Sequence, residues 1–362
     1  MEYREIDREI TAAAHGKDKM KLIRKGWEKA DADKNRHKQI QYRLDYIEES
    51  VFYDDLLEMY IVYPEVLKLH DEQIKDRGYD ELTTDILWQY KWVVENAKDF
   101  YQVSLKQYEM FFADAKKRYM ENNFSLRPLY QHRFTFFKEV DKEEAAKAYK
   151  EYLNCKRDRL SDCLACERSI EVEYLLSIGE IGQAAKKAEP LFEGEMRCGE
   201  EPECTYGRFL RYYDEKIVEG DEDYIEPASN LCETLRAAIA RKGAVAECIP
   251  DVLMHYALTQ PTKALNYYKK QWPFYESCRN PHMRYSFAMA AVCFFNSLGD
   301  KKTYKMSLNS GFPFYNESNT YNVEELKAYY ANSALDIAKK LDNRNGNTLY
   351  HDRFMKWTKQ DK

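Results

Sequence analysis

Breaks in a helical pattern recur along this chain at a nearly constant interval, and that interval limits the folds it can adopt. Five breaks are separated by 39, 41, 40 and 39 residues, and they lie at Val140-Asp141, Gly179-Glu180, Gly220-Asp221, Gln260-Pro261 and Gly299-Asp300. One helix pair cannot bury its own apolar face, so pairs repeated at a constant spacing stack and share a core. We therefore predict an all-α fold, a right-handed α-α superhelix of helix hairpins of about 40 residues each. The alternative is an irregular helical bundle whose spacings agree by chance.

The residues at the breaks are those that end and begin helices. Glycine supplies a left-handed C-cap, and Asp or Pro opens the next helix. The second helices are rich in small residues near their starts, as in DKEEAAKAYKEYL, EIGQAAKKAEPLF and PTKALNYYKKQW. Only 13 Gly and 10 Pro occur among 362 residues, which argues against a turn-rich all-β protein. Because no segment alternates strictly, we predict no strands.

These turns and second helices resemble the repeats of tetratricopeptide-repeat (TPR) proteins. The Gly-Asp and Gly-Glu turns and the Ala-rich second helices carry the resemblance, over roughly residues 36–310. A TPR repeat usually has about 34 residues, so the helices or loops are longer here. The resemblance implies a TPR-like solenoid that binds other proteins, and it does not identify the ligand.

Both ends of the chain depart from the repeat. Residues 1–35 read as leading or capping helices, and the segment 311–320 breaks the period with Gly, Pro, Asn and Ser. We predict a helix over 323–341 with a polar tail after it. Because no linker composition interrupts the chain, we expect one continuous domain, in which 1–35 and 311–362 cap the repeats of 36–310.

Five of the nine cysteines lie within 50 residues, and they are Cys155, Cys163, Cys166, Cys198 and Cys204. A C-x2-C pair is the usual half of a structural zinc site. In a helix hairpin, the start of the first helix and the chain after the second helix lie at the same edge, so we predict a structural zinc there. Its predicted ligands are Cys163, Cys166, Cys198 and Cys204. Reduced thiols packed as small apolar residues and a redox switch are the alternatives.

The same stretch resembles a set of bacterial TPR-like proteins of unassigned function. These proteins share a C-x2-C helix start, a Gly turn, an Ala-rich helix and a C-x3-P element. The matching positions here are Cys163, Cys166, Tyr174, Gly179, Ala184, Ala188, Pro190, Gly194, Cys198 and Pro202. The resemblance implies that three cysteines act together, and Cys204 matches no position of the motif.

Charge and apolar patterning exclude several classes of protein. The net charge of −6 argues against a general nucleic-acid-binding surface, so we expect no nucleic-acid partner. The longest apolar stretch, residues 285–295, has 11 residues, whereas a membrane span needs about 20. We therefore predict a helix buried on all sides and no membrane partner. Scattered cysteines and an N-terminus without an apolar signal segment lead us to expect a cytoplasmic protein.

The common catalytic motifs do not occur in the sequence. It has no GxGxxG, P-loop, GxSxG or HExxH pattern, and its seven histidines are dispersed. His255 follows Met254 in an apolar helix, and we interpret it as a core or groove histidine. A cysteine–histidine nucleophile stays open, because such partners need not be close in sequence. We expect that the protein is not an enzyme.

First helices line the concave side of TPR-like stacks, and counting back from each break projects that side onto the sequence. The projection gives a row of apolar residues: Tyr130, Phe134, Leu210, Met254 and Met289. Grooves that contain Met suit adaptable recognition of peptides or helices, so we predict that these residues bind a partner. The alternative is that they are core, because a register error of one residue exchanges the two faces.

These features favour a non-catalytic scaffold that binds a protein or peptide segment. A second hypothesis is a peptide-sensing regulatory protein whose superhelix changes shape when the ligand binds. A third is an enzyme of an unrecognised kind.

Overall fold

Helices dominate the chain, which confirms the predicted all-α fold. The computed structural model describes residues 2–53, 56–242 and 245–359. Helices make up 75% of the structure, and 17 α-helices form within the described residues. The right-handed superhelix stays a prediction.

The chain divides into two compact units, Met1–Ser161 and Asp162–Lys362. This boundary differs from those of the predicted segments 1–35, 36–310 and 311–362, whose division stays a prediction. Residue 1 of the first segment, residues 54–55 and 243–244 of the second and residues 360–362 of the third lie outside the described residues.

The first unit contains eight α-helices over its described residues. They are α1 (Tyr3–Ala12), α2 (Lys17–Ala32), α3 (Arg36–Tyr53), α4 (Met59–Arg77), α5 (Thr83–Asn96), α6 (Leu105–Glu121), α7 (Arg127–Phe137) and α8 (Lys142–Asn154). Neighbouring helices pack on each other, and α5 also contacts α7. The break predicted at 140–141 lies between α7 and α8, where the Asp141 side chain accepts hydrogen bonds from the first turn of α8.

The second unit contains nine α-helices and a two-stranded sheet over its described residues. They are α9 (Leu164–Ser177), α10 (Ile181–Phe192), α11 (Glu203–Glu219), α12 (Ile225–Lys242), α13 (Ile249–Thr259), α14 (Pro261–Ser277), α15 (Pro281–Asn296), β1 (Thr303–Lys305), β2 (Thr320–Asn322), α16 (Val323–Asn345) and α17 (Leu349–Thr358). α9 pairs with α10, α11 with α12 and α13 with α14, while α9, α11, α13 and α15 contact one another in succession. The predicted breaks at Gly179 and Gly220 fall inside these pairs, and both glycines have the positive φ that a left-handed helix end requires.

Side-chain hydrogen bonds join the first helices of successive helix pairs in the second unit. Three residue pairs, separated in sequence by 39, 40 and 41 residues, make these bonds: Arg208–Ser169, Arg211–Asp251 and His255–Asp214. Their polar atoms lie 2.8, 2.6 and 2.7 Å apart. The separations match the interval between the sequence breaks, so each bond joins nearly equivalent positions of adjacent helix pairs.

The apolar stretch 285–295 lies within α15 and is buried except for Ser286, which is half-buried. This placement confirms the predicted buried helix. Within the part of the chain that the structure describes, no helix has the combination of length and apolar character needed to cross a bilayer.

The expectation of no strands is wrong at one place, between α15 and α16. β1 and β2 pair antiparallel, with Tyr304 opposite Tyr321. Each strand has three residues, which is too short for an alternating pattern to be recognised in the sequence. The segment 311–320 follows β1, ends at the first residue of β2 and contains no helix, as its composition predicted.

The polar tail predicted after residue 341 is instead mostly helical over its described residues. α16 continues to Asn345, and α17 then packs against both α16 and α15. Tyr350 and Phe354 are buried, and the carboxylate of Asp342 accepts hydrogen bonds from the amides of Tyr350 and His351, both at 2.9 Å. Two apolar residues one helical turn apart are enough to dock a segment whose overall composition is polar.

The close approach of α2 and α3 depends on Gly26. A Cβ atom added at Gly26 would lie 2.8 Å from the ring of the buried Tyr42, whereas one added at Gly182 on α10 would meet no atom within 4 Å. We expect Gly26→Ala to lower the free energy of unfolding by about 1–3 kcal/mol, because the packed ring must move. Gly182→Ala, the control, should leave it unchanged or raise it by up to about 1 kcal/mol. Urea unfolding measures both changes, and equal effects would contradict the proposed packing restraint.

Candidate metal centre

The first half of the centre is built by the start of α9. Cys163 is the N-cap residue of α9, and its Sγ accepts a hydrogen bond from the backbone amide of Cys166 at 3.4 Å. The C-x2-C spacing therefore places both sulfurs at the first turn of one helix, as predicted.

The second half of the centre is the loop between α10 and α11. Cys198 lies in this loop, and its Sγ accepts hydrogen bonds from the amides of Glu200 at 3.4 Å and Glu201 at 3.3 Å. The Cys198 amide in turn donates to the carbonyl of Glu201 at 3.2 Å, which closes a tight turn. Two backbone amides of the loop thus hold the Cys198 sulfur in position.

The sulfurs of Cys163, Cys166 and Cys198 all lie within 4.8 Å of one another. Those of Cys166 and Cys198 are 3.5 Å apart. Thiolates bound to one tetrahedral zinc at about 2.3 Å would be separated by about 3.8 Å, so the cluster is close to the size that a metal requires. The structure brings together three of the four predicted ligands.

Cys204, the fourth predicted ligand, is not part of this cluster. It lies in the first turn of α11, is buried, and donates from its Sγ to Oε1 of Glu247 at 3.3 Å. The sequence projection placed it in a loop after the preceding helix, but α11 already begins at Glu203. The rigid helix directs the Cys204 side chain toward Glu247, which corrects the predicted ligand set.

Glu200 is a functional candidate that sequence reasoning missed. The Cys166 thiol donates to its Oε2 at 3.9 Å, and its backbone amide is one of the donors to Cys198. A sulfur and an oxygen bound to the same tetrahedral zinc would be separated by about 3.5 Å. The only signal in the sequence is an acidic residue two positions after Cys198, and 62 acidic residues make such a signal weak.

Burial of the cluster favours neutral thiols unless a cation is bound. Burial, then the neighbouring Cys198 sulfur and the Glu200 carboxylate, raise the pKa of the Cys166 thiol. Burial also raises the pKa of Cys198, although the amides of Glu200 and Glu201 partly offset it. A divalent metal reverses this balance, because its charge stabilises coordinating thiolates.

The five residues predicted to line a groove are placed mostly in the core. Phe134, Leu210, Met254 and Met289 are buried, and Tyr130 is half-buried with its hydroxyl accepting from Lys116 Nζ at 3.1 Å. Phe134 packs on Tyr149 of α8, with ring centroids 5.5 Å apart. Four of the five therefore lack the open surface that a partner would need. The register of the projection explains the difference, because it assigned core-facing positions to the concave side.

The repeated helix pairs and the cysteine cluster are the features on which a family assignment would rest. No protein-family model, curated protein or solved structure matches this chain. The resemblance to TPR proteins and to bacterial TPR-like proteins therefore stays a prediction, and the geometry of the cysteine cluster carries the functional argument.

Proposed function

We propose that this protein is a zinc-stabilised helical scaffold that binds a protein segment. The observation that carries the proposal is the group of three cysteine sulfurs within 4.8 Å of one another. The paired helices of the second unit support the scaffold part, because helical repeats commonly present extended binding surfaces.

Zinc fits the donor set better than magnesium or calcium does. Thiolate ligands favour zinc, copper(I) and iron–sulfur clusters, whereas magnesium and calcium require oxygen ligands. Cys198 belongs to the ten-residue segment between Phe192 and Glu203, while Cys163 caps α9 and Cys166 lies in its first turn. A zinc bound by all three would fix this loop to the start of α9, which is the role of a structural metal site.

We assign Glu200 as the fourth ligand in this proposal. Its Oε2 lies 3.9 Å from Cys166 Sγ, and its backbone amide donates to Cys198. Its carboxylate is not yet within 4.8 Å of all three sulfurs, so its side chain must turn toward the metal. Its side chain is exposed, so the metal would lie near the surface with one oxygen ligand.

A cavity of about 470 Å³ beside Cys198 is the surface that we propose for a protein segment, in place of the predicted groove. Pro202, Tyr206 and Ala238 contribute apolar surface. Charges of both signs also line the cavity, from Arg197, Arg241, Glu201 and Glu203. Because Cys198 belongs to the cavity wall, zinc binding would organise the wall before a partner arrives. A peptide-sensing regulator remains the second hypothesis, and a change in the radius of gyration on adding peptide would favour it.

Metal analysis tests the central part of the proposal. Protein purified under reducing conditions without chelators should contain about one zinc per chain. Replacement by Co²⁺ should give the sulfur-to-cobalt charge-transfer absorption of a three-thiolate site. Glu200→Gln should retain those bands while the metal binds more weakly. Protein that holds no zinc, and shows no thiolate bands with cobalt, would contradict the proposal.

A further inference from the structure

Three helices of the second unit bring a serine, a histidine and an aspartate into one hydrogen-bonded chain. Oγ of Ser229 on α12 lies 2.9 Å from Nε2 of His255 on α13. Nδ1 of the same histidine lies 2.7 Å from Oδ1 of Asp214 on α11. Both distances lie in the range expected when a base contacts a nucleophile and an acidic residue orients that base.

The aspartate determines which nitrogen of the histidine faces the serine. With Nδ1–H donating to Asp214, the neutral ring of His255 presents the lone pair of Nε2 to the Ser229 hydroxyl. Burial raises the pKa of Asp214 to about 6, and the hydrogen bond to His255 opposes that rise. The hydrogen bond from Nδ1–H favours the ionised form of the buried carboxylate, which stabilises positive charge on the imidazole.

The serine is the member of the chain that solvent reaches. The side chains of His255 and Asp214 are 0% and 1% exposed, whereas Ser229 is half-buried. Nε2 of Gln260 lies 3.4 Å from Oγ of Ser229 and supplies an amide donor next to the hydroxyl. An amide in this position can donate to the oxygen of a carbonyl that the serine attacks.

A cavity of about 610 Å³ lies farther along α12, and its lining includes Glu233, one helical turn from Ser229, but not Ser229 itself. Arg236, Lys263 and Lys270 also line it, so three cations face one carboxylate. Burial alone would raise the pKa of the Glu233 carboxyl. Hydrogen bonds, including those from Lys263 and Arg236, outweigh it and lower this pKa to about 2. The surplus positive charge suits a substrate with a negatively charged portion.

We propose that Ser229 is a nucleophile that His255 and Asp214 activate toward acyl esters. Oγ forms a bond to the acyl carbon while the hydroxyl proton moves to Nε2 of His255. The ester C–O bond then breaks, and the departing alcohol takes that proton. Water next gives a proton to His255 and attacks the acyl carbon, and the C–Oγ bond breaks as Ser229 regains its proton. This reaction goes beyond the proposed scaffold function. The expectation that the protein is not an enzyme stays a prediction, and the experiments below test it.

A fluorophosphonate probe tests the nucleophile directly. Oγ displaces fluoride from phosphorus and the hydroxyl proton passes to His255, so peptide mass spectrometry should find the label at Ser229 of the folded protein. Ser229→Ala should abolish this label and the hydrolysis of 4-nitrophenyl acetate, and urea should abolish labelling of the wild-type protein. Thr234→Ala, which removes another hydroxyl from α12, is the matched control and should label normally.

The labelling rate of the Asp214→Asn variant distinguishes a serine that the histidine activates from a serine that the probe can merely reach. If the variant folds with an unchanged circular dichroism spectrum, its labelling rate at Ser229 should fall by at least about 100-fold, because the histidine loses the partner that sets its tautomer. Absence of label at Ser229 in the folded wild-type protein would overturn the proposal. So would labelling that persists in urea, or a rate that is the same in folded Asp214→Asn protein. Metal content is independent of all these results and continues to report on the zinc proposal alone.

Discussion

Cys166→Ser protein is expected to be isolated without zinc and to unfold at a lower temperature than the wild-type protein. Serine keeps the size of cysteine but supplies no thiolate, and Cys166 lies at the centre of the cluster, 3.5 Å from Cys198 Sγ. Zinc at a free concentration about 100 times its dissociation constant stabilises the folded state by about 2.7 kcal/mol. For a unit of this size, that loss corresponds to a fall in melting temperature of about 5–11 °C. Elemental analysis and calorimetry measure the two effects.

Cys204→Ser is the matched control for this prediction, because Cys204 was the sequence-based fourth ligand but donates to Glu247 instead. It should retain zinc, and a chelator should lower its melting temperature as much as that of the wild-type protein. A chelator should have no further effect on Cys166→Ser. If Cys204→Ser lost its zinc while Cys166→Ser kept it, the cluster described here would not be the metal site.

Arg208→Met is expected to lower the free energy of unfolding by about 3–5 kcal/mol. The Arg208 guanidinium donates to Oε2 of Glu173 at 3.1 Å and to Oε1 of Glu201 at 3.4 Å, besides its bond to Ser169. The side chains of Glu173 and Glu201 are only 12% and 3% exposed. Methionine preserves much of the packing but removes the guanidinium that donates to two mostly buried carboxylates. The expected fall in melting temperature is about 6–20 °C.

Arg241→Met provides the comparison, since Arg241 is 72% exposed and lies 3.9 Å from Glu203. Its loss should change the free energy of unfolding by less than about 0.5 kcal/mol. Adding Glu173→Gln and Glu201→Gln to Arg208→Met should restore part of the lost stability, because the two carboxylate charges are then removed. Equal destabilisation by the two arginine substitutions would show that burial of the ion pairs does not matter.

The fold could be predicted from the sequence at places where the residues at a helix end determine the backbone conformation. Glycines at 179 and 220 end helices through a backbone conformation that other residues rarely adopt, so the breaks could be read directly from the sequence. The three-residue strands β1 and β2 carry no comparable local signal. The docking of α17 could not be predicted from the sequence either, because it depends on Tyr350 and Phe354 within a polar segment.

The site was predictable only in part for a related reason. Cys163 and Cys166 are three residues apart at a helix start, so helical geometry alone brings them together. The position of Cys198 followed from the hairpin arrangement, whereas that of Cys204 depended on where α11 begins. The chain from Ser229 through His255 to Asp214 was not predicted, because those residues are 26 and 41 positions apart and meet only through the packing of three helices.

The hydrogen bonds between nearly equivalent positions of adjacent helix pairs restrict which hairpins of this protein could be deleted or duplicated. If the hairpins were interchangeable modules, deleting or duplicating one would simply shorten or lengthen the chain. Here Asp214 needs His255 on the next hairpin, and Arg211 needs Asp251 there as well. Removing residues 221–260 would delete both partners at once and leave a buried carboxylate facing whichever helix came next. Each hairpin is thus matched to its own neighbour by these polar pairs, so the order of the hairpins cannot change without breaking them.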